Sequence, residues 1–167
     1  MTIHPGHPFA DPEPDPVRRF RGRLGAGVSL WTAGVAGDRA GLTVTSLMVA
    51  GGEPGRLLAL LDPDADLTGR LEETGRAVVQ LLSWRHRQLA EAFAGTAPAP
   101  GGPFRTGDFT ETPAGPRLTG ATAWVDVTLE DARDVGWSRL VTCTLDAVTL
   151  DDEDEPLLHR RGRWVRP

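Results

Sequence analysis

The sequence predicts a mainly β fold, a small closed antiparallel barrel with a few short helices. Short apolar or alternating runs of strand length recur along the chain, and only brief helical patterns lie between them. Turn-forming residues are frequent, with 20 glycines and 14 prolines among 167 residues. Many short strands joined by turns are typical of small barrels, and this length suits one domain with a full core.

Charge and cysteine content exclude several classes of function. The formal net charge is -5, and all 18 basic residues are arginine, which argues against duplex nucleic acid or anionic lipid as a partner. The absence of lysine excludes Schiff-base chemistry. The single cysteine, Cys143, excludes an internal disulfide and is expected to be a small buried residue. With no apolar run of membrane-spanning length, the expected location is cytoplasmic.

The N-terminal part predicts an arm followed by a helix. Residues 1–15, rich in proline, aspartate and histidine, predict a flexible N-terminal arm, and residues 16–167 predict one domain. A short amphipathic helix is expected to begin this domain, because an N-cap aspartate and a first-turn proline precede apolar residues at helical spacing. These residues are Asp15, Pro16, Val17, Phe20 and Leu24.

The remaining elements are predicted from apolar periodicity and turn residues. Strands over 28–32 and 40–47 flank the Gly37-Asp38 turn, which favours a hairpin. Residues 96–118, rich in proline and glycine, predict a loop. Further strands are predicted at 57–61, 77–82, 123–129, 140–150 and 157–164, with short helices at 67–74 and after Ser83.

The segment 40–47, Ala-Gly-Leu-Thr-Val-Thr-Ser-Leu, is the most informative stretch. Side chains alternate across a strand, so Thr43 and Thr45 share one face and Leu42 and Val44 the other. A row of small hydroxyls beside glycine backbone suits a planar polar ligand. The same pattern is typical of a half-buried edge strand with β-branched threonines, and the segment alone leaves both interpretations open.

Several short segments resemble those of a known family when they are taken in order. Gly-Leu-Thr-Val-Thr-Ser-Leu and His-Arg-Arg-Gly-Arg-Trp are two of them, and the full set covers 21–32, 41–47, 60–68, 75–82, 89–95 and 159–164. Their order and spacing, from about Arg18 to Arg163, resemble the flavin reductase-like, FMN-binding split-barrel family. No one segment is specific by itself.

The resemblance implies an activity and an assembly. It implies a homodimer with one flavin, FMN or FAD, near each subunit interface. It also implies reduction of that flavin by NADH or NADPH, often to supply a separate flavin-dependent monooxygenase. Because hydride passes from one cofactor to the other, no catalytic side chain is expected.

The resemblance also implies a set of binding residues by their position in the motifs. His159 and Arg161 are expected on the nicotinamide side. Asp66 and Thr68 are expected near the FMN phosphate. The full set expected at the flavin is Thr43, Val44, Thr45, Ser46, Leu60, Asp62, Asp66 and Thr68.

The loop expected at the phosphate departs from the family because it is acidic. Asp62, Asp64 and Asp66 precede Thr68, and a carboxylate beside a phosphate costs on the order of 1 kcal/mol. We expect Asp66 to cap the following helix and to point away from the phosphate. Otherwise an arginine of the partner subunit must offset the charge, or the ligand lacks a tight phosphate contact.

Three other features are open to interpretation. Trp137 stands where family members often carry Asp-His, and it either stacks on a ring or lies in the core or an interface. His4 and His7 are a weak signal for a metal, and no metal site is expected. The acidic residues 151–155 predict a solvated turn that pairs with the arginine-rich segment 160–166. The alternative is that this basic segment reaches a cofactor phosphate across a dimer.

The leading functional interpretation is an NAD(P)H-dependent flavin oxidoreductase. An alternative is a split-barrel flavin- or heme-binding protein without significant reductase turnover. A third is a structural or regulatory dimer in which the acidic loop has abolished cofactor binding.

Overall fold

The computed structural model describes residues 15–167. Of the predicted N-terminal arm, residues 1–14 lie outside this range. The described part contains three α-helices, α1 (Pro16–Leu24), α2 (Asp66–Thr74) and α3 (Arg87–Ala94). Its strands are β1 (Ala26–Gly27), β2 (Ser29–Ala33), β3 (Ala40–Val44), β4 (Leu47–Ala50), β5 (Arg56–Leu61), β6 (Arg76–Leu81), β7 (Phe109–Thr112), β8 (Gly115–Leu118), β9 (Ala123–Val135), β10 (Ser138–Leu150), β11 (Leu158–Arg160) and β12 (Arg163–Val165).

A seven-stranded antiparallel sheet forms the framework, in the order β3-β2-β6-β9-β10-β5-β4. Its two edge strands, β3 and β4, are consecutive in the chain and joined only by Thr45 and Ser46. If the sheet were flat, six strand spacings would separate the edges by about 29 Å. Two linking residues span at most about 11 Å between the strand ends. The sheet is therefore curled into a half-barrel, although the strand pairings of the described residues do not themselves close it.

The core lies on both faces of this sheet. Trp31 and Leu30 are neighbours on β2, both fully buried, and their side chains point to opposite faces. Trp31 belongs to a cluster that includes Leu67 and Leu71 of α2. Leu30 belongs to a second cluster that includes Phe93 of α3. Each helix thus covers a different face of the sheet.

A buried glutamine attaches the β7–β8 hairpin to the sheet. Gln80 on β6 donates to the carbonyl of Leu30 at 2.9 Å, and its Oε1 accepts from the backbone N–H of Leu118 on β8 at 2.9 Å. The loop predicted over 96–118 is wrong for this hairpin. The two strands of the hairpin are attached to the sheet by the side chain of Gln80, which is distant in the sequence, and not by an apolar pattern of their own.

Other predicted elements are confirmed with adjusted bounds. The helix α1 begins at Pro16 as expected, with the Asp15 carboxylate accepting from the backbone N–H of Val17 at 3.0 Å. The strand predicted over 40–47 breaks after Val44 and resumes at Leu47. The C-terminal strand predicted over 157–164 is a hairpin, β11–β12. None of the helices in the described part of the chain is long and apolar enough to span a membrane.

Candidate functional site

The link between the sheet edges carries two hydroxyls without a partner in the described part of the chain. Thr45 and Ser46 are half-buried, and their side chains form no hydrogen bond with residues 15–167. The carbonyl of Ser46 accepts from the backbone N–H of Leu60 at 2.9 Å, which fixes the link against β5. Both hydroxyls can therefore donate to a ligand and accept from it.

The preceding residues of β3 hold this link in place. Thr43 donates its hydroxyl to the carbonyl of Ala90 in α3 at 2.7 Å. Val44 is buried at 4% exposure, and its carbonyl accepts from the Ser29 hydroxyl at 2.7 Å. The Thr43 hydroxyl proton is thus used within the protein. Its oxygen can still accept a hydrogen bond from a ligand.

The loop after β5 is held by its own hydrogen bonds. The Asp62 carboxylate accepts from the backbone N–H of Asp64 at 2.9 Å. Thr68, buried at 3% exposure, donates its hydroxyl to the carbonyl of Asp62 at 2.6 Å. The hydroxyl proton of Thr68 therefore closes the loop. This bond sets the position of the first turn of α2.

The expectation that Asp66 caps α2 is wrong. The N-cap residue is Ala65, in extended conformation with φ -71° and ψ 140°, and no side chain caps the helix. Asp66 is the first helical residue and is exposed. A carboxylate in the first turn stabilises a helix through the helix dipole rather than through a capping hydrogen bond. Within this turn the N–H of Thr68 donates to the Ala65 carbonyl at 3.1 Å, and the N–H groups of Asp66 and Leu67 receive no side-chain cap.

A cleft of about 610 Å³ lies between this turn of α2 and the β2–β3 turn. Its lining carries two arginines of the same chain, Arg39 and Arg70. Arg70 pairs with Asp38 at 3.3 Å and with Glu73 at 2.6 Å. Its charged lining residues are Asp38, Arg39, Asp64, Asp66, Arg70 and Glu73.

The two arginines reduce the acidity of this cleft, although four carboxylates still outnumber them. Arg39 and Arg70 come from the β2–β3 turn and from the middle of α2. No motif links these two segments, so neither arginine could be predicted from the sequence. Arg39 pairs with Glu111 at 3.2 Å. Arg70 pairs with Asp38 and Glu73, so both charges are already engaged within the chain.

The residues expected on the nicotinamide side lie on a separate three-stranded sheet, β1-β11-β12. His159 on β11 is half-buried, and its ring centroid lies 5.2 Å from that of Trp164. Burial lowers the pKa of His159, so the ring is neutral at pH 7. Arg161 occupies the β11–β12 turn and is exposed.

Helix α3 contacts both β3, which carries residues predicted at the flavin, and the β11–β12 hairpin, which carries those predicted at the nicotinamide. Ala90 accepts from Thr43, and the neighbouring Glu91 accepts from the Trp164 indole N–H at 2.9 Å. The His159–Trp164 ring pair is therefore tied to the same turn of α3 as β3. In contrast, Asp66 and the cleft lie at α2, on the other face of the sheet.

Three further predictions can be compared with the structure. Trp137, at the tip of the β9–β10 hairpin, is 91% exposed, so a position in the core of this chain is wrong. Arg166 donates to both carboxylate oxygens of Glu155 at 2.6 and 2.7 Å, which confirms the predicted pairing of the acidic block. Cys143 is confirmed as buried, and burial raises its pKa to about 12.

The residues around the link fit a flavin ring. A flavin ring presents carbonyl oxygens and ring nitrogens at its edge, and the free hydroxyls of Thr45 and Ser46 can donate to the first and accept from the second. Leu60, which is 40% exposed, offers apolar surface next to them. The fit to a phosphate is weaker, since the uncapped N–H groups of α2 favour an anion but Asp66 opposes it. Among residues 15–167, no group of three or more histidine, cysteine or carboxylate side chains could hold a metal ion.

Known proteins share this sequence pattern and this fold. RutF 2 of Methylorubrum extorquens strain PA1, an FMN reductase (NADH), is 30% identical over 161 residues, which cover 94% of this chain and 92% of that protein. RutF of Agrobacterium fabrum strain C58, also an FMN reductase (NADH), is 28% identical over 148 residues, covering 88% and 84%. The solved structure of the NADH:FAD oxidoreductase SgcE6 of Streptomyces globisporus C-1027 matches with a TM-score of 0.80 at 24% identity, covering 90% of each chain.

The family model for the flavin reductase like domain matches residues 21–166. This range includes the Thr45–Ser46 link, the acidic loop and the β11–β12 hairpin. It confirms the resemblance drawn from the short segments. The chain belongs to the flavin reductase-like domain family.

Proposed function

We propose that this protein is an NADH-dependent flavin reductase that reduces FMN, with FAD as an alternative flavin. The observation that carries the proposal is the link at Thr45 and Ser46. Its two hydroxyls have no hydrogen-bond partner within the described residues, and they lie in a domain of the flavin reductase-like family. Relatives that align with 94% and 88% of this chain are named FMN reductase (NADH).

The bound flavin supplies the hydride-accepting chemistry. The chain itself binds and orients the reactants, which accounts for much of the rate that such an enzyme can provide. Thr45 and Ser46 hydrogen-bond the edge of the flavin ring, and Leu60 provides an apolar contact. Thr43 and Val44 act by holding the link, through α3 and β2 respectively.

We assign the phosphate end of the flavin to the first turn of α2. Its uncapped N–H groups attract an anion. The Thr68 hydroxyl keeps the turn in place by donating to the backbone carbonyl of Asp62. Asp66 opposes the phosphate through its charge.

We assign the nicotinamide side to His159 and Arg161. His159 is half-buried, and burial lowers its pKa, so its neutral ring can pack against the nicotinamide. Arg161 supplies positive charge beside it. The donor is NADH, as in the names of the relatives, with NADPH as a second candidate.

We further propose a cytoplasmic homodimer in which the curled sheet closes into a barrel and residues 16–167 form one domain. The apolar side chains of α1 support the dimer, since Val17, Phe20 and Leu24 are 69–74% exposed in the single chain. A flavin-dependent monooxygenase is the proposed consumer of the product. One relative is named the reductase component of 4-hydroxyphenylacetate 3-monooxygenase.

Steady-state oxidation of NADH in the presence of FMN tests this function. We expect turnover that saturates with FMN and scales with protein concentration, with NADPH assayed in parallel. Saturable flavin binding without NADH oxidation above the protein-free rate would instead support a flavin-binding protein. Absence of both binding and turnover would support a structural or regulatory dimer.

A further inference from the structure

Five exposed arginines form one surface beside His159, which we call the arginine surface. Two lie in the last turn of α1 and three on the β11–β12 hairpin. They are Arg21, Arg23, Arg160, Arg161 and Arg163, all exposed.

Backbone contacts bring these two distant segments together. The backbone N–H of Arg161 donates to the carbonyl of Gly22 at 2.9 Å. The Arg160 guanidinium donates through Nε to the carbonyl of Arg23 at 3.3 Å, which leaves its other four N–H groups for a ligand. Because β1 pairs with β11, Ala26 lies opposite His159. The arginine surface is thus held at the residue expected next to the nicotinamide.

The arginine surface carries charge that the described protein does not neutralise. None of its five members forms an ion pair with a carboxylate of residues 15–167, whereas six other arginines do. The protein has 23 acidic residues against 18 basic ones, so carboxylates are abundant elsewhere. Clustered like charges repel one another, and a bound anion would relieve that repulsion.

The conformation of Arg161 also points to a use for its side chain. Its φ is 52°, in the left-handed region, and Gly162 follows with φ 73°. Glycine or asparagine is the usual residue at such a position, since a Cβ atom crowds the backbone carbonyl there and a short polar side chain offsets this by local hydrogen bonding. Among residues 15–167, Arg161 is the one residue other than glycine with positive φ. Placing arginine there costs stability without any ion pair within the described chain to offset it.

We propose that the arginine surface binds the diphosphate of the nicotinamide dinucleotide. This inference rests on the proposed reductase function and extends it to the part of the co-substrate away from the nicotinamide. Guanidinium groups match phosphate oxygens with two parallel hydrogen bonds. A diphosphate carries two negative charges, and it spans neighbouring arginines in a way that a single carboxylate does not. FAD contains the same diphosphate, so the test includes both sources.

The test replaces Arg21 and Arg163 by glutamine in one variant of the full chain, because both belong to the arginine surface and neither is assigned to the nicotinamide side. Both residues are exposed and neither side chain forms a hydrogen bond or ion pair within residues 15–167, so folding is preserved while charge is removed. Arg133→Gln is the matched control, because Arg133 is exposed and lies on β9, outside the arginine surface. KM and kcat are measured with NADH, and with an N-alkyl dihydronicotinamide that contains no phosphate.

We expect the double variant to raise KM for NADH about tenfold, the effect of losing one charge-assisted hydrogen bond, with kcat little changed. KM for the phosphate-free donor should stay within twofold of the wild-type value. Added salt should raise KM for NADH in the wild type and in Arg133→Gln, and less so in the double variant.

Other outcomes overturn the inference. A KM for NADH within twofold of the control would show that the arginine surface does not bind the dinucleotide. An equal rise for the phosphate-free donor would show that the substitutions disturb the nicotinamide instead. Weakened binding of FAD but not FMN, with KM for NADH unchanged, would assign the diphosphate to FAD. If the wild-type protein does not oxidise NADH at all, the proposed function fails rather than this inference.

Discussion

Replacing Asp66 by asparagine and by alanine separates the effect of its charge from that of a capping hydrogen bond. In the structure Ala65 is the N-cap residue, and Asp66 is the first helical residue, with no capping bond. Its contribution to folding is therefore electrostatic. An exposed carboxylate in the first turn of a helix stabilises it by about 0.3–1 kcal/mol.

Asp66→Asn should then lower the free energy of unfolding, and Asp66→Ala should lower it no more, since each removes the charge and alanine has the higher helix propensity. A capping role predicts a different result, because asparagine caps helices well and alanine does not. Urea unfolding of the two variants measures this directly. Ala65→Ser serves as a control that adds a cap, and it should stabilise the protein by about 0.5–2 kcal/mol.

The same substitutions test whether the charge of Asp66 repels the phosphate of FMN. Two unit charges 4 Å apart in water repel by about 1 kcal/mol, which corresponds to about fivefold in affinity. Because the position is exposed, we expect Asp66→Asn to tighten FMN binding by about two- to fivefold. Riboflavin has no phosphate, so its affinity should not change.

Titration of flavin fluorescence with each variant gives both affinities. Equal changes for FMN and riboflavin would refute a charge effect on the phosphate. A silent Asp66→Asn together with a destabilising Asp66→Ala would refute the assignment of Ala65 as the N-cap.

Three further predictions concern the link, the buried network and pH. Thr45→Val and Ser46→Ala should each weaken flavin binding up to about tenfold, as seen by fluorescence titration, since each loses one hydrogen bond of about 0.5–1.5 kcal/mol. Gln80→Leu should destabilise the protein by about 1–3 kcal/mol in urea, because the buried N–H of Leu118 loses its acceptor. Burial, and then the charge of Arg85, lower the pKa of His86 below its ordinary value of 6.5. The unfolded chain therefore binds more protons than the folded chain, and the free energy of unfolding should fall as the pH drops below about 6.5. His86→Gln should reduce this pH dependence.

Local signals predicted the start of α1 better than the end of the long strand β9. Asp15 and Pro16 begin α1 as expected, because capping and first-turn preferences depend only on neighbouring residues. Strand β9 runs to Val135, six residues past the predicted end at 129. Its last residues are mostly polar and exposed, and they are extended because they pair with β10, as Asp134 does with Arg139. Such pairing is not readable from the pattern of one strand.

The motifs predicted where the candidate site lies but not how it is built. They identified the segment containing Thr45 and Ser46, yet not that it joins the two edges of the sheet. They placed the cap at Asp66 rather than Ala65, because aspartate is the better cap and a shift of one residue leaves no trace in the sequence pattern. The arginines of the cleft were missed, since they come from separate segments.

Anaerobic mixing of the purified protein with FMN and NADH tests the central claim most directly. The visible absorption of the flavin should bleach as NADH is consumed, at a rate proportional to protein concentration. The double variant Thr45→Val/Ser46→Ala should require more FMN to reach the same rate. Bleaching no faster than in a protein-free mixture, with the protein folded and at saturating FMN, would contradict the proposal that this chain is a flavin reductase.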